Sequence, residues 1–539
     1  MIANPALCHD AALTPVPRRR RQAHFDEGDT RGGIFRTMTP DAATDRLTFD
    51  PASDAEWTAL RTLGHRMLDD LLDAQRSLPH TPAWRPLPAH KRLLFDSPGP
   101  AQGIGADAAY EQFRSHILPY GNGNWHPRFF GWVQGNGTPL AMLADMLATG
   151  MNPHLAGFDQ APAHVERQVI GWFGDWMGLP GASGLFVTGG TMANVHGLAC
   201  ARIAQARARG RDARRDGVQA WPGEPAPSPL VFYGSTETHG WARKAAEWLG
   251  LGDRAWRRVP VHADYTIDVD ALAQQIADDR AAGLAPFCVI GTAGTVNTGA
   301  TDDLDALADL CARESLWLHV DGAFGALVAL SPSLRGQVKG MERADSLAFD
   351  LHKWGSMPFE CACVLVRDPA VHVAAFQQTA AYLGGFERGV SAGGQPFNDR
   401  GLDLTRGFKA LKVWMQLQAD GVEKLGAIIR QNVDQVQYLV RIIDSHDELE
   451  RLAPAPLNIV CFRYRPSTLV PDEPALEALN LELLLRLQER GIAVPSSTRL
   501  DGRFALRVAH VNHRTTDEDI ETLAEAIVEI GREITAEGR

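Results

Sequence analysis

Apolar residues recur along this chain at two alternating periods. At 54–75, Trp57, Leu60, Leu63, Met67, Leu71 and Leu72 return at helical spacing, which predicts an amphipathic helix. Thr138-Pro139 predicts a second helix start, with a capping hydroxyl and a proline at the first helical position, followed by Leu140, Met142, Leu143, Met146 and Leu147. Further on, short apolar runs predict strands at 185–188, 230–233, 287–291, 316–321, 346–349 and 362–366. Helical patterns lie between several of them, at 192–207, 242–249, 269–281 and 304–314. Nearly continuous apolar strands alternating with helices predict an α/β fold with a largely parallel sheet covered on both faces. In such sheets ligands gather at the carboxyl ends of the strands.

Two irregular stretches interrupt this alternation. The first, at 208–228, is rich in Arg, Pro and Gly and reads as a surface insertion. The second, at 384–401, holds many glycines and reads as a mobile lid over a site. A helix follows at 408–418, then helices with strand candidates at 458–464 and 504–509. The expected division is a polar tail at 1–40, a helical segment at 41–135, a large α/β domain at 136–419 and a small α+β domain at 420–539.

Composition narrows the function classes. A chain of 539 residues, 45% hydrophobic and 22% charged, suits a globular protein of several packed subdomains. Its net charge of -12 argues against general affinity for nucleic acid or anionic membrane. No apolar run reaches the roughly 18 residues a transmembrane helix needs. Arg18, Arg19, Arg20 and Arg21 have no apolar stretch behind them, so a solvated tail is expected there rather than a secretory signal. The 7 cysteines are scattered and odd in number, which argues against a disulfide framework. Cys361 and Cys363 alternate in an apolar strand and read as core thiols, and no metal site is expected. A cytoplasmic location fits these features.

The chemistry collects at the predicted strand ends. Thr188-Gly189-Gly190-Thr191-Met192-Ala193-Asn194 follows a strand and opens a helix, where free amide groups suit a phosphate. A plain glycine turn is the simpler alternative. Asp321 ends the strand Leu316-Trp317-Leu318-His319-Val320-Asp321 and suits a cationic ring nitrogen, or else caps the next helix. His239 follows another strand and suits stacking on a flat ring, or else sits in a turn. Gly291-Thr292-Ala293-Gly294-Thr295 adds hydroxyls at the same edge. Lys353 lies in Phe349-Asp350-Leu351-His352-Lys353-Trp354, at the end of an apolar run. In a dry pocket its amine would form a Schiff base with an aldehyde; otherwise it simply points to solvent. One ligand uses all four groups in this chain order: pyridoxal 5′-phosphate, through its phosphate, ring, pyridinium and aldehyde.

From about His126 to Thr516 the chain resembles the group II pyridoxal-phosphate-dependent amino-acid decarboxylases, the aromatic-L-amino-acid decarboxylase-like enzymes. The resemblance is carried by His126-Pro127-Arg128-Phe129-Phe130, Ala141-Met142-Leu143-Ala144-Asp145-Met146-Leu147, Val320-Asp321-Gly322-Ala323 and Asp350-Leu351-His352-Lys353-Trp354. It continues through Thr405-Arg406-Gly407-Phe408-Lys409-Ala410-Leu411-Lys412-Val413-Trp414 and Asn512-His513-Arg514-Thr515-Thr516. It implies the aspartate-aminotransferase-like fold (fold type I), a homodimer with sites at the interface, and an amino-acid substrate. Lys353 would be the Schiff-base lysine, Asp321 the ring-nitrogen partner and His239 the ring stacker. Gly190 and Thr191 would hold the phosphate, helped by His352 and Asp350, with Ala323 under the ring and Thr295 touching the cofactor. The segments at 130–139 and 152–158 would match the family's pocket walls.

The match departs at two positions. Met192 replaces an acidic residue common after the phosphate turn. Family members carry a loop tyrosine thought to protonate the substrate carbon, and a gap-free count back from Arg406 puts Phe397 there; the nearest loop tyrosine is Tyr382. In plant relatives that exchange goes with aldehyde synthases. The expectation is therefore a carboxy-lyase acting on an L-amino acid, aromatic by the pocket aromatics Trp125, Trp132 and Phe158, although His126, Arg128 and His154 would suit an acidic one. An aldehyde synthase or aminotransferase on the same scaffold, and a non-catalytic cofactor-binding module, are the alternatives.

Overall fold

The computed structural model describes residues 48–223, 225–378, 387–467 and 472–537. The polar tail with its four arginines lies outside the described residues, as do Tyr382 and the start of the lid stretch at 384–386. The chain divides into two compact units, at 1–61 and 62–539. The described part of the first unit leads into the helix Asp54–Ser77. Ser53 Oγ accepts from Glu56 N at 3.3 Å, while Glu56 Oε2 accepts from Ala52 N at 2.7 Å. This reciprocal cap fixes the helix start.

The second unit is built on a sheet of seven strands: β1 (Ser183–Val187), β2 (Leu230–Ser235), β3 (Trp256–Val259), β4 (Ala285–Thr292), β5 (Trp317–Asp321), β6 (Ser346–Asp350) and β7 (Ala362–Val366). The spatial order is β1-β7-β6-β5-β4-β2-β3. Only β7 runs antiparallel to its neighbours, and the other pairs are parallel. β1, β5, β6 and β7 are buried throughout, which is why their sequences read as continuous apolar runs. The mixed, mostly parallel sheet follows the sequence expectation. Because β2, β4, β5 and β6 run in one direction, Ser235, Thr292, Asp321 and Asp350 end at one edge.

A second, mainly antiparallel sheet is formed by β8 (Leu449–Arg451), β9 (Ile459–Tyr464), β10 (Val494–Leu500) and β11 (Arg503–Ala509). The pair Phe129–Phe130 adds to it in parallel against Val494 and Pro495, so a piece of the expected N-terminal segment completes the C-terminal sheet. The helices Glu473–Glu489 and Asp517–Glu537 share its apolar core. The helix predicted at 408–418 runs much further, over Ala410–Ser445, and breaks at Gly421 (φ 75°, ψ 163°), a conformation suited to glycine. Among the described residues of the insertion at 208–228, the regular element is the single turn Ala213–Asp216. No helix of the described residues is long and apolar enough to cross a membrane. Cys361 and Cys363 are buried in the core, where burial pushes the Cys361 thiol up to about 12.

Candidate active site

The edge where the parallel strands end opens into a cleft of about 450 Å³. At one side, β1 leads through Thr188 and Gly189 into the helix Gly190–Ala208. No side chain caps this helix start, so its first amide groups remain free to meet an anion. The helix reaches the strand edge closely because residue 190 is glycine. A Cβ there would lie 2.6 Å from Asp350 Oδ2.

Asp321 stands on the cleft floor at the end of β5, almost fully buried. Its Oδ2 accepts from Trp241 Nε1 at 2.6 Å and its Oδ1 from Ala323 N at 3.1 Å. Asp321 does not cap the next helix, Gly325–Leu330, whose start has no side-chain cap; one of its oxygens closes the turn to Ala323 while the indole fixes the other. His239 lines the same cleft, and its Nδ1 accepts from Trp241 N at 3.2 Å, which places the ring proton on Nε2. Burial lowers the His239 pKa, partly offset by Asp321, and the ring is held neutral.

Lys353 enters from the turn after β6. Its Nζ lies 2.7 Å from Asp350 Oδ2, and His352 Nε2 lies 3.9 Å from the same oxygen. Asp350 Oδ1 is buried without a partner. Burial lowers the His352 pKa, and the ring packs against Phe359 with centroids 4.6 Å apart. The segment after Phe130 closes over this turn. A Cβ on Gly135 would lie 2.1 Å from the carbonyl oxygen of His352 and 2.4 Å from that of Lys353. Trp132 (φ 53°) and Val133 (φ 57°) adopt left-handed backbone there and line the cleft. Such conformations in non-glycine residues persist where surrounding packing imposes them, and they cluster at ligand sites.

Eight of the sequence-predicted cofactor residues thus share one cleft: Gly190, Thr191, His239, Asp321, Ala323, Asp350, His352 and Lys353; of the predicted pocket aromatics Trp132 lines it too, while Trp125 and Phe158 do not. Two further site candidates do not line it. Thr295 turns into its own loop, where its hydroxyl accepts from Ala300 N at 3.1 Å and meets Thr298 Oγ1 at 3.0 Å. Of the two threonines in this segment it is Thr292, the last residue of β4, that faces the cleft; its hydroxyl is buried without a protein partner. Phe397 is fully buried in the turn Phe397–Arg400, its ring surrounded by the guanidinium groups of Arg167, Arg400 and Arg406 at 5.4, 5.3 and 5.1 Å. Its amide donates to Ala156 O at 2.7 Å. The described part of the expected lid is therefore anchored at Phe397 by packing and a backbone bond. Trp241 was not visible as a cleft residue in the sequence, its one weak signal being its place two residues after His239, whereas Thr292 and Asn194 were visible only as members of their strand-end segments.

The fit to pyridoxal phosphate is specific on the protein side: a glycine-opened cradle of free amides, a fixed carboxylate, a neutral histidine and a primary amine face one space. The family described as pyridoxal-dependent decarboxylase conserved domain matches residues 88–465. The chain is 34% identical over 415 residues to the aromatic-L-amino-acid decarboxylase of Bacillus atrophaeus, covering 76% of this chain and 82% of that protein. It is 27% identical over 464 residues to the phenylacetaldehyde synthase of a Rosa hybrid cultivar, covering 83% and 89%. Its fold matches the crystal structure of Oryza sativa TDC with PLP and tryptamine at a TM-score of 0.81 and 26% identity, over 90% of this chain and 100% of the other.

Proposed function

From the premise that the chain belongs to the pyridoxal-dependent decarboxylase family, we propose that its substrate is an aromatic L-amino acid, released as the amine and CO₂. It is a PLP-dependent amino-acid decarboxylase of fold type I. The observation that carries the aromatic reading is the cleft lining. Trp132, Val133, Phe324 and Phe359 supply apolar surface, and among the described lining residues there is no arginine to hold an acidic side chain. The candidates for that role are engaged elsewhere. Arg128 Nη1 bonds Asp519 Oδ1 at 3.1 Å and its Nε donates to Ile492 O at 2.7 Å. His126 is buried against Thr81 O and Arg128 N, with its pKa pushed down to about 4, and His154 does not line the cleft.

Bound in the cleft, pyridoxal phosphate supplies the electron sink that lets a carboxylate leave as CO₂. Gly190 and Thr191 would hold its phosphate at the helix start, and Asp321 would keep a proton on its ring nitrogen. His239, neutral and fixed by Trp241, would pack on the ring face, and Ala323 leaves room beneath it. Lys353 is the amine that would hold the aldehyde carbon and be released as a free amine when the substrate amine takes its place. A screen of CO₂ release across the amino acids tests this reading, with amine, aldehyde and peroxide assayed together. Turnover of tryptophan, tyrosine or phenylalanine to amine without peroxide is expected. Preference for glutamate would overturn the substrate class, and aldehyde with peroxide would favour the synthase reading.

The same reading includes a homodimer. The helix Pro139–Met151 leaves Met146, Leu147 and Met151 more than half exposed, an apolar stripe suited to a second copy. Light scattering at twice the chain mass is expected, and a monomer at micromolar concentration would refute it.

A further inference from the structure

Beneath the cleft floor lies a histidine with no assigned role. His319 sits two residues before Asp321 on β5, so both side chains leave the same face of the sheet. It is fully buried. Its Nδ1 lies 2.8 Å from the hydroxyl of Ser346, its cross-strand neighbour on β6, and its Nε2 lies 2.7 Å from Asn194 Oδ1. Trp317 Nε1 meets the same Ser346 hydroxyl at 2.8 Å.

The direction of each bond follows from the inventory of donors. Asn194 Oδ1 can only accept, so in a neutral ring His319 Nε2 carries the proton and donates to it. Nδ1 is then bare and accepts the Ser346 hydroxyl, whose oxygen in turn accepts from Trp317 Nε1. The amide NH₂ of Asn194 is then left for the cleft, which Asn194 lines. A neutral imidazole has both nitrogens satisfied. Burial also pushes the His319 pKa down to about 4.

The surroundings leave the ring little freedom. From the helix Gly190–Ala208 it meets Asn194 and Gly197, and a Cβ on Gly197 would lie 2.4 Å from its ring. Trp241 packs edge-on at 5.8 Å while its indole N–H holds Asp321. The ionised group beside it is Asp321, on its own strand; Ser346, Asn194 and Trp241 are neutral. An imidazolium here would compete with any cationic ring nitrogen for that one carboxylate.

We propose that His319 is a positioning residue for the decarboxylation: held uncharged as the Nε2–H tautomer by Ser346 and Asn194, it leaves the charge of Asp321 undivided for the cofactor's ring nitrogen and turns the Asn194 amide toward the cleft. This rests on Asp321 as the ring-nitrogen partner. His319→Gln keeps an acceptor for Ser346 and a donor for Asn194, whereas His319→Leu keeps neither. Titration of the apoprotein with pyridoxal phosphate should show His319→Gln within about threefold of wild type and His319→Leu weaker by roughly 10- to 100-fold, the range for losing an outer-shell partner. Equal loss in both variants would overturn the proposal. Should His319→Leu fail to fold, histidine ¹⁵N NMR of the wild-type holoenzyme near neutral pH still decides. It should show one protonated and one bare ring nitrogen for His319, with the proton on Nε2; an imidazolium or an Nδ1–H ring would refute it. Asp321→Asn separates the two levels: if its spectral titration with pH and its turnover match wild type, the premise has failed, and if these are altered while His319→Leu is normal, only this inference has.

Discussion

Lys353→Ala abolishes the visible absorbance of the cofactor-loaded protein and lowers CO₂ release on the order of 10⁴-fold or more. Among the described residues that line the cleft, Lys353 is the one primary amine, so no neighbour can take over the bond to the aldehyde. The change also has a structural cost. Lys353 Nζ pairs at 2.7 Å with Asp350, whose side chain is 1% exposed and whose other oxygen has no partner. Removing the ammonium leaves that carboxylate with His352 at 3.9 Å as its nearest counterpart. Losing one partner of a fully buried pair costs about 3–5 kcal/mol; here the lysine side chain is 26% exposed, so a loss of about 1–3 kcal/mol is expected. The apoprotein variant should therefore melt lower than wild type while keeping its far-ultraviolet spectrum. Absorbance and the melt together separate lost chemistry from lost fold. A wild-type visible band in the variant, or CO₂ release within about tenfold of wild type, would remove Lys353 from the mechanism and take the site assignment with it.

The groups at strand ends were legible in the sequence for a physical reason. A parallel sheet buried on both faces writes its strands as apolar runs, so the residue that ends each run is known to within a position or two. Asp321, Lys353 and the Gly189-Gly190 turn stand out against that background. That background does not decide between neighbouring threonines. Thr292, the last residue of β4, faces the cleft while Thr295 closes its own loop. Partners supplied by other elements had no local signal. Nothing in the spacing of Trp241, Asn194 or Ser346 announces that they converge around Asp321 and His319; that is a product of helix-to-sheet packing. Strands that break the apolar rule were missed as well. β3 is a sheet edge carrying Arg257 and Arg258, and β10 contains Pro495 and three hydroxyl residues. Phe397 was placed by counting, and counting cannot reveal that three guanidinium groups enclose its ring.

Asp321→Asn should be the second most damaging change in the cleft, and it tests the electrostatics rather than the covalent chemistry. Both carboxylate oxygens accept a hydrogen bond, from Trp241 Nε1 at 2.6 Å and Ala323 N at 3.1 Å. An asparagine of the same shape has one acceptor oxygen, so its NH₂ must face one of those two donors, and a bond is lost whichever way it turns. The larger effect is the missing charge. A ring nitrogen above a neutral amide gives up its proton more readily than one above a carboxylate in a low-dielectric floor, and an unprotonated ring is a weaker electron sink. CO₂ release should fall by about 10²–10⁴-fold, the span typical of losing a positioned proton-holding group. The bound cofactor should keep its link to Lys353, so visible absorbance persists with an altered response to pH, in contrast to Lys353→Ala. Trp241→Phe, which removes one hydrogen bond and keeps the charge, should lie between wild type and Asp321→Asn. Turnover by Asp321→Asn within tenfold of wild type, with an unaltered spectral titration, would show that this carboxylate serves the turn after β5 and not the cofactor.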